Sequence, residues 1–235
     1  MKLIINGDDL GYTRANSEGI FQAYEEGILR STTALVNTAY FEEYVRRAKT
    51  EHPGLGVGVH LVLTCGRPLT ANRTLTDPST GLFWHGAARL FEHEIDYDEV
   101  YAEWKAQIER FIAVSGQLPT HIDSHHTVID QSPQSQQTAL KLAAEYGLQV
   151  RSHNSFRFID SFYAEDATKE HLLQILEEYR NEDIEIMCHP GWIDLELYRC
   201  SSYASERIRE LDILCSPQLR EYIEKAGIEL CRYGS

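Results

Sequence analysis

The chain has 235 residues, and its 36 acidic side chains against 22 lysines and arginines give a formal net charge of −14. A hydrophobic fraction of 43% with 25% charged residues excludes a disordered chain and is typical of one globular domain with a sizeable core. The acidic balance argues against nucleic acids and anionic membranes as partners, because both attract basic surfaces.

No apolar run approaches the roughly 18 residues that span a bilayer. The apolar N-terminal run ends at Gly7-Asp8-Asp9, which is too early for a signal peptide. The five cysteines are an odd, scattered set without a C-x-x-C pair, so they argue against a cysteine-based zinc site. Such a set is typical of free thiols in a reducing compartment, and we expect a cytoplasmic protein.

Short apolar runs alternate with segments of helical periodicity along the chain. In chain order, strands are predicted at 2–6, 33–37, 56–60, 121–123, 148–151, 185–188 and 228–232, with one more near 155–159. Helices are predicted at 13–26, 41–49, 98–115, 133–146, 168–181, 205–214 and 217–225. Residues 64–81 are rich in proline, glycine and threonine and predict a long loop, a kind of segment that usually serves function.

The alternation of strands with helices predicts parallel βαβ units in an α/β fold. The strand count fits a TIM-barrel-like (β/α) barrel, irregular or seven-stranded, or a doubly wound open sheet. Reactive side chains follow many different strands: Asp8, Asp9, His60, His125, Arg151 and His189. This spread favours the barrel, because an open sheet would concentrate them at one switch point. We expect one domain over residues 1–235.

Two adjacent carboxylates, Asp8 and Asp9, follow the first strand and are flanked by Gly7 and Gly11. Neighbouring residues of extended chain cannot point the same way, so one can bind a metal while the other acts as a base. The alternative is a tight turn beside a helix cap. The pair by itself leaves both interpretations open.

The densest cluster of chemistry is the segment 121–126, with three histidines and an aspartate in six residues. In an extended strand, His121, Asp123 and His125 share one face, and Asp123 could orient a liganding histidine. The alternative is a polar surface patch. His60 ends another strand and is either a ligand or a hydrogen-bonded core residue.

Two further strand ends carry reactive groups. His189 precedes a Pro-Gly turn and is a candidate general acid, or else a structural turn residue. Arg151 is a candidate oxyanion donor or carboxylate clamp, or else the partner of an acidic residue in an ion pair. One carboxylate and two imidazoles leave open positions on a divalent metal, so the whole set points to metal-assisted hydrolysis.

Five segments, in order along most of the chain, carry a resemblance to a known family. They read NGDDLG at 6–11, STTALVN at 31–37, GVHLVLT at 58–64, PTHIDSHH at 119–126 and MCHP at 187–190. Together they resemble the YdjC-like carbohydrate deacetylases, and within them the chitooligosaccharide deacetylase branch.

The resemblance implies a barrel-like fold and hydrolysis of the acetamide of an N-acetylated sugar, such as diacetylchitobiose or its 6-phosphate. It implies a divalent metal, Mg²⁺ or else Zn²⁺, held by Asp9, His60 and His125. By analogy with the wider polysaccharide deacetylases, Asp8 would be the base and His189 the acid. The family expectation for assembly is a homodimer.

One departure from the family concerns the fourth segment. Relatives often continue it with more histidines, whereas this chain has Thr127-Val128-Ile129, which leaves the substrate open. Three alternatives remain: an enzyme for another small acyl amide, an inactive sugar-binding barrel, or a phosphoesterase. Most acidic residues, including those at 92–109 and 165–185, are expected on solvated outer faces of helices.

Overall fold

The computed structural model describes residues 1–234. The strands are β1 (Lys2–Leu10), β2 (Ser31–Ala34), β3 (Gly56–Leu61), β4 (Thr76–Asp77), β5 (Leu82–Phe83), β6 (His121–Ser124), β7 (Gln149–Val150), β8 (Arg157–Ile159), β9 (Ile184–Cys188) and β10 (Glu229–Cys231). The α-helices are α1 (Arg14–Glu25), α2 (Phe41–Glu51), α3 (Ala87–Leu90), α4 (Tyr97–Ser115), α5 (Pro133–Tyr146), α6 (Lys169–Glu178), α7 (Leu195–Cys200), α8 (Ser205–Leu214) and α9 (Pro217–Lys225). Two 3-10 helices span His125–Gln131 and Ala164–Asp166.

One parallel sheet forms the centre of the fold. Its strands lie in the order β7-β6-β3-β2-β1-β9-β8, and β10 pairs with the first residues of β1. The path has β7 and β8 at its two ends, and helices separate most of the sheet strands that follow one another in the chain, with β7 and β8 as the exception. This confirms the predicted irregular, seven-stranded (β/α) barrel.

The central strand β1 continues further than predicted. It was expected at 2–6, but it runs through Asp8 and Asp9 to Leu10, and every residue after Lys2 is buried. Its pairing with β2 shifts register between Gly7 and Leu10. The two carboxylates therefore lie in an irregular strand end that is covered on both faces, as parallel strands usually are.

Most helices lie close to their predicted ranges because their end signals are strong. The Thr13 hydroxyl accepts the Asn16 amide N–H at 3.2 Å and begins α1. Gly116 and Gly147 end α4 and α5 in the left-handed conformation. The predicted loop 64–81 includes the start of a short hairpin of β4 and β5, and β2 begins two residues earlier than expected.

Three acidic residues correct the expectation that the helical acids face solvent. Glu103 of α4 is fully buried and accepts backbone N–H bonds from Leu69 and Thr70. Glu99, one turn earlier, accepts those of Arg73 and Thr74. Glu185, the last acid of the second range, is buried in β9, where a strand was predicted. These carboxylates have structural partners because buried charge without a partner is costly.

Within the described part of the chain, no helix is both long and apolar enough to cross a membrane.

Candidate active site

The two adjacent carboxylates of β1 point to different partners. Asp9 has a positive φ of 75°, an uncommon conformation for a residue other than glycine, and this turns its side chain away from that of Asp8. The Asn16 side-chain amide donates to the Asp9 carbonyl oxygen at 2.9 Å. Arg207 Nη2 donates to Asp9 Oδ2 at 2.7 Å. The strained backbone is therefore held from two helices, α1 and α8.

Asp9, His60 and His125 converge on one point. Asp9 Oδ1 lies 3.4 Å from His60 Nε2 and 3.2 Å from His125 Nδ1. The same Oδ1 is buried and has no hydrogen-bond partner among the residues described. A carboxylate oxygen without a partner, facing two imidazole nitrogens, is the arrangement that a divalent cation would complete.

The orientation of His60 is set by Asp123. Nδ1–H of His60 donates to Asp123 Oδ1 at 2.6 Å, so Nε2 faces Asp9. The Thr33 hydroxyl donates to Asp123 Oδ2 at 2.9 Å. Burial opposes the charged imidazole, but Asp123 outweighs it and raises the pKa of His60. Asp123 is thus hydrogen-bonded to a candidate metal-binding histidine, as its predicted orienting role requires.

Asp8 is held by an arginine instead. Arg151 binds it through two hydrogen bonds, Nη1 to Oδ2 at 2.8 Å and Nη2 to Oδ1 at 2.7 Å. The Asn6 amide donates to Oδ1 at 2.8 Å. Burial alone would raise the pKa of the Asp8 carboxyl, but Arg151 holds it far below its usual range. Asp8 is therefore ionised at neutral pH and fixed in direction.

Arg151 is buried among three carboxylates. Besides Asp8, it binds Glu185 Oε1 through Nε at 2.8 Å, and its Nη2 lies 2.9 Å from Asp123 Oδ2. It is not among the described residues that line the cavity above Asp8 and Asp9. This geometry corresponds to the carboxylate-clamp and ion-pair alternatives, and its N–H groups point at carboxylates rather than at a substrate oxyanion.

A second group of three acidic or imidazole side chains, Asp8, His60 and Asp123, is also close enough for a metal. Arg151 already neutralises both of its carboxylates. A cation there would meet a buried guanidinium, so the Asp9 group is the better cation site.

His189 faces the other side of Asp8. Its Nε2 lies 4.0 Å from Asp8 Oδ2, and its ring packs 5.6 Å from that of Tyr163 and 5.4 Å from that of Tyr203. Burial lowers the pKa of His189 to about 4, so its neutral form predominates at pH 7. Glu210 accepts the His189 backbone N–H and the Tyr203 hydroxyl, and burial raises the pKa of Glu210 to about 7.

A cavity of about 600 Å³ opens over this arrangement. Its lining includes the five predicted residues Asp8, Asp9, His60, His125 and His189. Sequence reasoning did not single out Arg207, Asn16, Tyr203 or Glu210 as site residues. For two of them the sequence carries a signal. Arg207 and Glu210 lie three residues apart on the buried face of α8, and charged residues on a face where apolar side chains are expected indicate a buried polar site.

Comparisons with known proteins show the family of this chain. The family described as "YdjC-like protein" matches residues 2–225. A protein of Enterococcus faecalis named carbohydrate deacetylase is 39% identical over 100% of this chain and 97% of its own length. One of Yersinia enterocolitica named chitooligosaccharide deacetylase is 37% identical over 98% and 97% of the two chains.

Solved structures support the same assignment. A crystal structure from Enterococcus faecalis, described as a putative cellobiose-phosphate cleavage protein, superposes with a TM-score of 0.92 at 38% identity and covers 99% of this chain and 97% of that chain. A Bacillus cereus polysaccharide deacetylase, at 16% identity and a TM-score of 0.55 over 100% and 92% of the two chains, shows the fold alone. The chain therefore belongs to the YdjC-like family.

Proposed function

We propose that this chain is a metal-dependent carbohydrate deacetylase that hydrolyses the acetamide of an N-acetylated sugar to a free amine and acetate. The substrate we propose is a small chitooligosaccharide, such as diacetylchitobiose or its 6-phosphate. The printed names of the full-length relatives support the activity. The observation that carries the mechanism is Asp9 Oδ1, which lacks a hydrogen-bond partner and lies between His60 Nε2 and His125 Nδ1.

Asp9, His60 and His125 are the residues that would hold the metal. One oxygen and two nitrogen donors suit a divalent ion, and we propose Mg²⁺, with Zn²⁺ as the alternative. When bound, such an ion lowers the pKa of a water molecule and polarises the acetyl carbonyl. Arg207 pairs with the second oxygen of Asp9 and partly neutralises its charge. The net negative charge of the proposed metal site is therefore small.

Asp8 and His189 form the proposed proton pathway. Asp8 is ionised and His189 is neutral at pH 7, so the pair can take up the proton of an attacking water. In this proposal Asp8 accepts the proton first, and the proton then moves to His189, because the pKa of His189 lies above that of Asp8. From His189 it can pass to the nitrogen of the leaving amine, as a general acid requires.

Arg151 acts in this scheme through Asp8. Its two hydrogen bonds fix the direction of the carboxylate that receives the proton. Arg151 is therefore a positioning residue in our proposal, which retains the clamp part of its predicted role. Arg207 is the guanidinium that lines the catalytic cavity, beside Asp9.

The test is acetate release from diacetylchitobiose by the wild-type chain and by the variants His125→Ala and Asp8→Asn. Both variants should lose at least 10²-fold in kcat, because one removes a metal ligand and the other the base. His171→Ala, outside the cavity, is the matched control and should keep wild-type activity. Full activity in both site variants would overturn the assignment.

The same assay separates the alternative functions. Binding of diacetylchitobiose without acetate release would identify a sugar-binding barrel. Release of a different acid from a non-sugar amide, with none from the sugar, would identify another amidase. The metal content of protein purified without chelator is a further criterion. A bound divalent ion favours the hydrolase, since a sugar-binding barrel has no need of a water-activating ion.

We further propose that the chain forms one domain over residues 1–235, assembles as a homodimer and works in the cytoplasm. The main sheet, in which the last strand β10 pairs with the first strand β1, supports one folding unit. The five cysteines are free thiols, which suits a reducing compartment. Sedimentation equilibrium tests the dimer, and fractionation of the source cells tests the location.

A further inference from the structure

A second cavity, also of about 600 Å³, adjoins the catalytic cavity. Tyr12, Cys65, His85 and Cys200 line both. We propose that this second cavity is a sugar subsite that holds the pyranose ring next to the one that is deacetylated. The inference rests on the proposed function and adds to it the determinants of substrate length.

The junction of the two cavities lies close to the proposed metal ligands. The ring centroid of Tyr12 is 6.5 Å from that of His125, and the Tyr12 hydroxyl donates to the Cys200 carbonyl oxygen at 2.9 Å. Tyr12 thus joins the end of β1 to α7 across the opening. A substrate whose acetamide reaches the ligands would extend its next ring past Tyr12 into the second cavity.

The walls of the second cavity combine apolar faces with hydrogen-bond acceptors. Leu82 and Phe83 supply apolar surface, on which the C–H face of a pyranose can pack. Asp77 and Glu196 place carboxylates on the same cavity, and Glu196 Oε2 is held by the Tyr40 hydroxyl at 2.6 Å. A mostly apolar pocket with a few placed polar groups is the usual form of a small-molecule site, and carboxylates accept strong hydrogen bonds from hydroxyls.

The wall formed by the long loop is preorganised. Asn37 Nδ2 donates to the carbonyl oxygens of Cys65 at 2.9 Å and Arg67 at 3.2 Å. The Phe83 amide N–H donates to the Gly66 carbonyl oxygen at 2.9 Å, which ties the two ends of the loop together. The buried Glu103 and the partly buried Glu99 of α4 bind backbone N–H groups of the loop between these two ends. A wall that is already ordered loses little conformational entropy when a ligand binds.

Trp84 has a supporting part in this wall. His93 stacks on its ring with a centroid distance of 3.8 Å, and the guanidinium of Arg89 lies 5.6 Å from the ring centroid. Its Nε1–H donates to the Thr74 carbonyl oxygen at 3.1 Å. Since the indole is engaged in this way, we assign recognition of the second ring to Leu82 and Glu196 rather than to stacking on Trp84.

The test compares kcat/KM for N-acetylglucosamine with kcat/KM for diacetylchitobiose. The wild-type chain should favour the disaccharide. Glu196→Ala, which removes an exposed carboxylate, and Thr80→Trp, which fills the cavity from an exposed position, should each lower the disaccharide-to-monosaccharide ratio about tenfold. Arg199→Ala is the matched control, since it lies on α7 but is not among the described residues that line the cavity.

Product binding separates failure of the subsite from failure of the proposed function. Calorimetry measures the affinity of the chain for two products, glucosamine and deacetylated diacetylchitobiose. This measurement needs no turnover. Tighter binding of the disaccharide, weakened about tenfold by Glu196→Ala, supports the subsite even if neither substrate releases acetate. Equal binding of the two sugars by the wild-type chain, or a disaccharide-to-monosaccharide ratio that neither variant changes, overturns it.

Discussion

Asp123 Oδ1 lies 2.6 Å from His60 Nδ1, and this one contact decides which nitrogen of His60 faces Asp9. The two residues pair side by side on neighbouring strands β3 and β6. The contact links the sheet register to the proposed metal site, because a shift of one residue would turn one of the two side chains to the other face.

We therefore predict that Asp123→Asn weakens metal binding about 10- to 100-fold, as loss of an orienting carboxylate commonly does. The amide keeps the size of the side chain but has one acceptor oxygen instead of two. It therefore cannot accept both the His60 N–H and the Thr33 hydroxyl as the carboxylate does. Isothermal titration with Mg²⁺ and Zn²⁺ measures the change. Asp130→Asn, which alters a carboxylate paired with His153 at 3.1 Å, is the control, and equal affinities in both variants would contradict the role of Asp123.

Arg207→Met should destabilise the metal-free chain by about 3 kcal/mol, because it removes the guanidinium from the buried Asp9 carboxylate and leaves only the imidazoles of His60 and His125 beside it. The pKa of Asp9 is held well below its usual range against burial by Arg207, so this charge persists in the folded chain. A bound divalent ion would neutralise Asp9 in its place. The rise in melting temperature on adding metal should therefore be larger in the variant than in the wild-type chain.

The control for this comparison is Arg209→Met, on the exposed side of the same helix. It should change the free energy of unfolding by well under 1 kcal/mol and leave the metal-induced shift unaltered. A metal response in Arg207→Met no larger than that of the control would show that Asp9 is not the residue that meets the ion.

The acid limb of kcat/KM is expected near pH 4 when metal is saturating. The proton pathway needs neutral His189, whose pKa is lowered to about 4 by burial, so activity is lost as pH falls through that value. Tyr163→Ala removes a ring that covers His189, and the limb should move up toward the ordinary histidine value of 6.5. Tyr198→Ala, a substitution of a tyrosine that is 72% exposed, should leave the limb in place.

Glu210 should make the folded chain less stable as pH rises from about 4.5 to about 7. Its pKa is raised by burial to about 7, so over this range the native state binds a proton that the unfolded state releases. The contribution is fully present below pH 4.5 and lost as pH rises through 7, with a magnitude on the order of 2–3 kcal/mol.

Urea unfolding of the wild-type chain and of Glu210→Gln at pH 4.5 and pH 7 measures this effect. The variant should lack that part of the pH dependence, whereas Glu206→Gln on the same helix should follow the wild-type course. Parallel pH curves for the wild-type chain and Glu210→Gln would contradict it.

The parts of the fold that depend on neighbouring residues were predictable. Helix α5 begins after Ser132 with Pro133 and ends at Gly147, and these signals act within one turn of chain. Strand β1 was predicted too short because Gly7, Asp8 and Asp9 interrupt its apolar run before Leu10. It extends through them because Arg151 and Arg207, which lie elsewhere in the fold, and the Asn6 amide of β1 itself satisfy the carboxylates.

In the loop of residues 64–81, too, local sequence predicted one part of the structure and distant contacts decided the other. Its composition predicted a loop, but the sequence alone did not reveal that Glu99 and Glu103 would bind its backbone. A glutamate on a solvated helix face and one that binds buried N–H groups have the same local pattern. Only the packing of α4 against the loop distinguishes them, since burial without hydrogen bonds would be too costly.

By itself, the sequence determined the alternation of strands and helices, the barrel, and the strand ends that carry Asp9, His60, His125 and His189. These follow from local periodicity and from the rule that parallel strands end on one rim. The tertiary structure decided which carboxylate faces the two histidines and which is bound by Arg151. The reason is that buried charges must find partners. Arg207 lies 198 residues from Asp9 in the chain, and no local sequence pattern predicts a contact over that separation.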